Sequence, residues 1–294
     1  MILMNILYCG DEGIKDGLLV SILSLIKNTR SSLHIYVLTI DYQDSKPITD
    51  KTADFLDSLV KKADKNNFVK KIDATEVFVK NLPEKNLNTI FTKKYFKPCA
   101  MLRLYADKIP ELAKLDKILY LDYDVICRKD PTEFYDVDMT NIEAAGTLDI
   151  YGKNFYHYNF PRLSKGATWQ DFKDYQPDYM NSGVLLFNMA ECKKSDLFAR
   201  AVEICQKKRM MLADQAALNM AIEHRKLMPN AFNEQEDHPQ KDTVFHHFSN
   251  NFKFKPYFHV QKIKPFEVDK IHEILKITEY DDILNKYLKL KGEL

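Results

Sequence analysis

Over the first 126 residues, short runs rich in branched apolar side chains alternate with longer stretches whose apolar positions recur at helical spacing. No other feature constrains the fold as much. Residues 5–8 read as a buried strand, followed by the polar turn Gly10-Asp11-Glu12-Gly13. Leu18, Leu19, Ile22, Leu23, Leu25 and Ile26 then mark one face of a helix. Residues 33–40, rich in branched residues and containing Tyr36, read as the next strand. Thr52, Phe55, Leu56, Leu59 and Val60 mark a second amphipathic helix, and residues 68–79 read as mostly extended. Residues 100–109 read as a helix closed by Pro110, and residues 118–121 as a further strand. Strands separated by helices pair in parallel, which predicts an α/β, Rossmann-like twisted sheet, mostly parallel and flanked by helices. Such sheets bind ligands beyond the carboxyl ends of their strands. Gly10-Asp11 and Asp122-Tyr123-Asp124 both follow strands directly and fall at that edge.

The second of these segments carries chemistry. In an extended chain, residues i and i+2 project to one side, so Asp122 and Asp124 are expected to point together. Two carboxylates facing one way repel unless a cation lies between them. Carboxylate oxygens suit divalent ions such as Mn²⁺ or Mg²⁺, and an ion held this way can grip a diphosphate. A solvated strand end, where acidic residues are common, is the alternative reading of the same pair.

Bulk composition narrows the partners. With 43 basic and 42 acidic residues the formal net charge is +1, so no global field favours nucleic acid or an anionic membrane. The 294 residues, 45% hydrophobic, suffice for one large core or a core with a small appendage. Five scattered cysteines without Cys-x-x-Cys spacing predict reduced thiols and no structural zinc. The apolar start, residues 1–8, is too short for a secretory signal, and no apolar window is long enough to span a bilayer. The expectation is a soluble, cytoplasmic protein.

Beyond Asp149 the texture changes. Residues 151–180 hold nine aromatic residues, Trp169 among them, with little periodicity; they predict a lid or a packed insertion. Residues 183–187 read as a short strand, residues 197–210 and 213–224 as helices, and residues 242–248 as a late strand. Residues 1–260 form the expected main domain, and residues 261–294 a C-terminal helical appendage.

Taken in order, several of these segments resemble glycosyltransferase family 8, over roughly residues 5–257. They are the opening strand with Cys9-Gly10-Asp11, Leu102-Arg103-Leu104, Tyr120-Leu121-Asp122-Tyr123-Asp124, and the run from Asn181-Ser182-Gly183 to Asn188. Asp214-Gln215, Leu218-Asn219, His247-Phe248-Ser249 and Lys255-Pro256-Tyr257 follow. The resemblance implies a retaining, metal-dependent hexosyltransferase of GT-A fold that uses UDP-glucose or UDP-galactose. By that analogy Asp122, Asp124 and His247 hold Mn²⁺, with Mg²⁺ the second candidate, since an imidazole beside two carboxylates favours manganese. His246 faces the opposite way on an extended chain. Asp11 would meet the uracil edge beside Cys9 and Gly10, with Tyr123 in the same donor site. Arg103 would clamp the donor sugar, or form a structural ion pair. Asp149, Asn181, Ser182 and Gly183 would line the sugar.

Asp214 and Gln215 are the implied catalytic pair with Arg103, although Asp214 could equally cap its helix. Ala216 stands where the family often carries a further carboxylate, and Gly13 and Ile14 stand where an asparagine and a base-stacking tyrosine often follow. The diphosphate lysine would be Lys255, with Lys253 a rival. The implied acceptor is a glycan, lipid-linked or protein-linked. Lys286, Lys289 and Lys291 beside Tyr287, Leu288 and Leu290 leave peripheral attachment at the inner face of a membrane open, alongside simple helix docking. Two other functions compete: a non-catalytic UDP-sugar-binding homologue, suggested by Ala216 and Gly13, and a sugar nucleotidyltransferase. The latter fits poorly with an acidic first turn.

Overall fold

Period-two alternation along the central strands decides how the sheet is covered. In strand β1 (Leu3–Cys9), Met4, Ile6 and Tyr8 enter one apolar layer while Leu7 and Cys9 enter the other. Strand β2 (Ser32–Thr39) divides likewise, with Leu33, Ile35 and Val37 against Tyr36 and Leu38. Both faces are therefore apolar, and helices cover both. The structure, a computed structural model, describes residues 3–81, 98–150, 178–207, 213–253 and 259–294.

The remaining strands are β3 (Phe68–Asp73), β4 (Lys117–Leu121), β5 (Val125–Cys127), β6 (Ala144–Leu148), β7 (Met180–Asn188), β8 (Arg225–Leu227), β9 (Phe245–His247), β10 (Asn251–Lys253) and β11 (His259–Gln261). Seven of them form one sheet in the order β3-β2-β1-β4-β7-β6-β8. The pairs β3-β2, β2-β1, β1-β4 and β6-β8 are parallel, whereas β7 runs antiparallel to both β4 and β6. The sheet is thus mixed and mostly parallel, with GT-A-like architecture. β10 and β11 form a separate hairpin, and β5 pairs antiparallel with β9.

Helices α1 (Lys15–Asn28) and α2 (Asp50–Ala63) follow β1 and β2. Thr49 caps α2, its hydroxyl accepting the Thr52 N–H at 3.1 Å. Then come α3 (Thr75–Lys80), the single turns α4 (Pro110–Ala113) and α5 (Thr132–Tyr135), α6 (Met189–Lys194), α7 (Leu197–Lys207), α8 (Ala213–Ala221) and α9 (Asp281–Leu290).

Four local expectations need correction. Residues 68–79 are not one extended run: β3 ends at Asp73, whose carboxylate accepts the Thr75 N–H and starts α3. The stretch around Arg103 is a tight 3₁₀ run, Pro98–Lys108, and Pro110 opens α4 rather than closing a helix. The late strand shrinks to β9, since Thr243 turns back on Gln240. The helical reading of 197–210 and 213–224 holds for Leu197–Lys207 and Ala213–Ala221.

The C-terminal residues do not stand apart from this core. Ile271, Ile277, Tyr280, Ile283, Leu284 and Tyr287 are buried in the same apolar layer as α1, and Tyr287 Oη donates to Asp16 at 2.7 Å. Among the described residues no helix is long and apolar enough to cross a membrane.

Candidate active site

Chain order places the site. β1 leads outward to β2 and β3, and β4 then returns to the other flank of β1, with Leu7 opposite Tyr120. The carboxyl ends of β1 and β4 flank the point where strand order reverses, the crevice in which open α/β sheets take their ligands. Cys9-Gly10-Asp11 leaves one of these ends and Asp122-Tyr123-Asp124 the other.

The aspartates are brought together by a turn, not by the strand alternation expected from sequence: β4 ends at Leu121, and Asp122 to Asp124 turn the chain into β5. Asp122 N–H donates to Gly183 O at 2.8 Å, and Tyr120 Oη donates to Asp122 Oδ1 at 2.7 Å. β9 supplies the imidazole. Its register sets His247 opposite Val125, one residue past Asp124, and Phe248 N–H closes on Asp124 O at 2.9 Å. His247 Nε2 lies 3.4 Å from Asp124 Oδ1 and 3.7 Å from Asp122 Oδ2. One ligand atom from each of the three residues lies within 4.8 Å of the others. His246 faces away, its Nδ1 2.7 Å from Tyr280 Oη and its Nε2 2.9 Å from Glu236 O. Burial pushes the His246 imidazole down to about 3, so it is neutral.

Asp124 Oδ1 is buried and has no hydrogen-bond partner among the described residues. A buried carboxylate oxygen without a partner is costly, and a divalent ion would relieve it. Burial raises the Asp124 carboxyl, but the Lys264 ammonium beside it outweighs this and holds the group well below the usual carboxylate range. Two acids and one imidazole on converging elements therefore fit a divalent cation.

Lys264 is the residue that sequence reasoning missed. Its ammonium pairs with Asp124 Oδ2 and donates to Phe248 O at 3.0 Å. The signal was present: Lys-Pro-aromatic occurs twice, as Lys255-Pro256-Tyr257 and as Lys264-Pro265-Phe266. Lys255 lies outside the described residues. Lys253, the rival, is paired with Asp237.

Arg103 anchors the opposite wall. The guanidinium is buried, donates through Nε to Asp214 Oδ2 at 2.6 Å and through Nη1 to Ser182 O at 2.7 Å, and stacks over Tyr120 at 4.4 Å from the ring centre. Burial lowers the guanidinium's affinity for its proton, but Asp214, Tyr120 and Asp122 outweigh this and keep it firmly protonated. Of the two offered roles the ion pair is present, and Asp122 Oδ1 lies a further 3.9 Å from the guanidinium. Asp214 sits inside the first turn of α8, not before it, so the capping alternative falls away.

Gln215 is held at both ends: its Oε1 accepts Ser182 N–H at 2.9 Å and Ser182 Oγ–H at 3.0 Å, and its Nε2 donates to Asp149 Oδ2 at 3.0 Å. Asp149 Oδ2 also accepts from Asn181 Nδ2 at 3.0 Å. Ala216 is buried in the apolar layer beneath α8, so no carboxylate reaches the site from that position. At the β1 end, Asp11 is buried and accepts Gly13 N–H at 3.0 Å. Tyr123 packs against α1 at Gly17, where a Cβ would come within 2.5 Å of the ring. The aromatic residues 151–177 lie outside the described residues.

Gly183 makes room for the imidazole. A Cβ there would fall 2.2 Å from His247 Cε1 and 2.5 Å from Nδ1. Gly183→Ala is therefore expected to push His247 off the aspartates and cost about 1–3 kcal/mol as overpacking, read by denaturant unfolding.

A mostly parallel, helix-flanked sheet with an acid pair and an imidazole at its switch point defines a GT-A-like protein. The model of glycosyl transferase family 8 matches residues 5–254, and the chain belongs to that family. A lipopolysaccharide 1,2-glucosyltransferase of Escherichia coli is 25% identical over 237 residues, 78% of this chain and 62% of that protein. The chain thus spans about three fifths of the length of this relative. Among solved structures, galactosyltransferase LgtC in complex with donor and acceptor sugar analogs aligns with a TM-score of 0.66 and 18% identity, covering 99% of this chain and 100% of that one. The bifunctional glycosyltransferase WbbM aligns with a TM-score of 0.69 and 16% identity, over 97% of this chain and 51% of that one. At these identities the likeness is one of fold.

Proposed function

We propose that this protein is a retaining hexosyltransferase that moves glucose or galactose from a UDP-sugar to a glycan, lipid-linked or protein-linked acceptor. The observation that carries the reading is the convergence of Asp122, Asp124 and His247 at the β1/β4 switch point of a family 8 chain.

Asp122, Asp124 and His247 would hold Mn²⁺, which supplies Lewis-acid charge toward a leaving diphosphate. The chain's own groups do the rest. Lys264, close enough to pair with Asp124, adds a second positive charge for the diphosphate. Asp11, with the backbone at Cys9 and Gly10, meets the uracil, and Asp149, Asn181, Ser182 and Gly183 border the hexose. Arg103, fixed by Asp214 and Ser182, orients the donor sugar. The Gln215 amide, held at both ends, offers a preorganised dipole to the oxocarbenium-like transition state. With Ala216 apolar and buried, the reading favours attack by the acceptor hydroxyl on the face from which UDP leaves, its proton passing to the departing phosphate. Because the chain spans only part of its curated relatives, the acceptor rests on analogy with their described activity.

The test is a thermal-shift and hydrolysis panel of UDP-glucose, UDP-galactose, UDP-N-acetylglucosamine, GDP-mannose and CTP, each with and without Mn²⁺. Stabilisation by one UDP-hexose that requires Mn²⁺, with slow release of free hexose, is the expected result. A metal-independent response, or preference for CTP, overturns it.

A further inference from the structure

We infer that Asn233 is a positioning residue that locks the His247 tautomer and so turns the Nε2 lone pair toward Asp122 and Asp124. This rests on the proposed metal site. Asn233 follows a short 3₁₀ turn, Asn230–Phe232, and is buried at 1% exposure. Its Oδ1 lies 3.2 Å from His247 Nδ1, and its Nδ2 donates to Asn181 Oδ1 at 2.9 Å.

The amide orientations follow from one group that cannot be flipped. Gly183 N–H points at the Asn181 side chain at 2.9 Å, so the Asn181 atom facing it is the oxygen. The same oxygen faces Asn233, which must therefore present its NH₂ there. The Asn233 oxygen is thereby turned to His247, and only Nδ1–H of the imidazole satisfies it. A neutral imidazole with its proton on Nδ1 carries its lone pair on Nε2, the atom 3.4 Å from Asp124 and 3.7 Å from Asp122. A histidine side chain free in water prefers the opposite tautomer, so the lock changes what the ring presents. Ligating histidines commonly owe their orientation to such an outer hydrogen bond.

The lock is also part of a loop. Asn233 joins Asn181, Asn181 joins Asp149, Asp149 joins Gln215, Gln215 joins Ser182, and Ser182 accepts from Arg103 Nη2 at 3.0 Å. Arg103 stands 3.9 Å from Asp122, which faces His247 again. Asn233 thus links the imidazole to the same side chains that hold Gln215 and Arg103. No sequence motif marks it.

The experiment uses the full chain labelled with [¹⁵N]histidine, free of metal, at pH 8, with the His247 signals identified by their absence in His247→Gln. The wild type should show a proton on His247 Nδ1; a bare Nδ1 with the proton on Nε2 overturns the inference even if no variant folds. In Asn233→Leu the Nε2–H form should appear, and the affinity for Mn²⁺ alone, by calorimetry, should fall by about 10–100-fold. An unchanged tautomer or an unchanged Mn²⁺ affinity overturns it. Gln235→Leu is the control, because Gln235 braces the same loop by donating to Leu148 O at 3.0 Å and Asn233 O at 3.3 Å without joining the ring. Equal loss of affinity there would reduce Asn233 to a brace and overturn the assignment. If the wild type itself fails to bind Mn²⁺, the metal reading falls, while the tautomer measurement still decides the role of Asn233.

Discussion

Arg103→Met is expected to destabilise the protein by about 3–5 kcal/mol at pH 7, the cost of breaking a buried ion pair from one side. Arg103 is 4% exposed and Asp214 7%, so neither charge has water to fall back on. The variant strands the Asp214 carboxylate, Ser182 O and Ser182 Oγ together. The loss should depend on pH with a definite sign. Burial raises the Asp214 carboxyl above its ordinary value even with Arg103 beside it, and Arg103 is the main opposing influence. Without Arg103 the carboxyl rises further, so the folded variant takes up a proton at a pH where the unfolded chain does not. The destabilisation should therefore be full near neutrality and shrink as pH falls toward the carboxylate range. Denaturant unfolding of both proteins from pH 8 to pH 4 measures this; a pH-independent difference would remove Asp214 as the stranded charge.

Asp124→Asn is expected to abolish stabilisation by UDP that depends on Mn²⁺ and to lower turnover by about 10³-fold, the equivalent of several kcal/mol of transition-state stabilisation. The substitution is nearly isosteric, so folding without metal should survive. What changes is chemistry: one buried oxygen becomes an amide nitrogen that cannot bind a cation, and Lys264 loses its anionic partner. Thermal shift with UDP and Mn²⁺, followed by turnover of the preferred UDP-hexose, decides it. Retained stabilisation would take Asp124 out of the site.

Parts of this site are legible in the sequence and parts are not. Asp122 and Asp124 stand out because they interrupt an apolar run, and the flanking Leu121 and Val125 reveal that they sit at the edge of the core. The sign of that reading survived although its local geometry did not, because a turn can converge two side chains as well as a strand can. Lys264 was written in the chain but hidden by repetition: two Lys-Pro-aromatic motifs are indistinguishable until β10 and β11 carry the chain back and Lys264 meets Asp124. Asn233 has no local signature at all, since an asparagine after a short turn is ordinary. The break at Asp73 is hidden in the sequence because residues 75–79 mix β-branched and aromatic residues that suit a strand as well as a short helix.

By itself the sequence determined the layer architecture, since hydrophobic period records which residues must leave water and does so locally. It also determined the residue types available for chemistry and, through their order, the family. Only the tertiary structure decided which of them meet. His247 reaches Asp124 because β9 pairs with β5, Arg103 reaches Asp214 across 111 positions, and Asn233 turns its oxygen toward His247 because its NH₂ donates to the Asn181 oxygen that Gly183 N–H fixes. These contacts arise from strand register and from the need to satisfy buried polar atoms, and both are properties of the assembled fold.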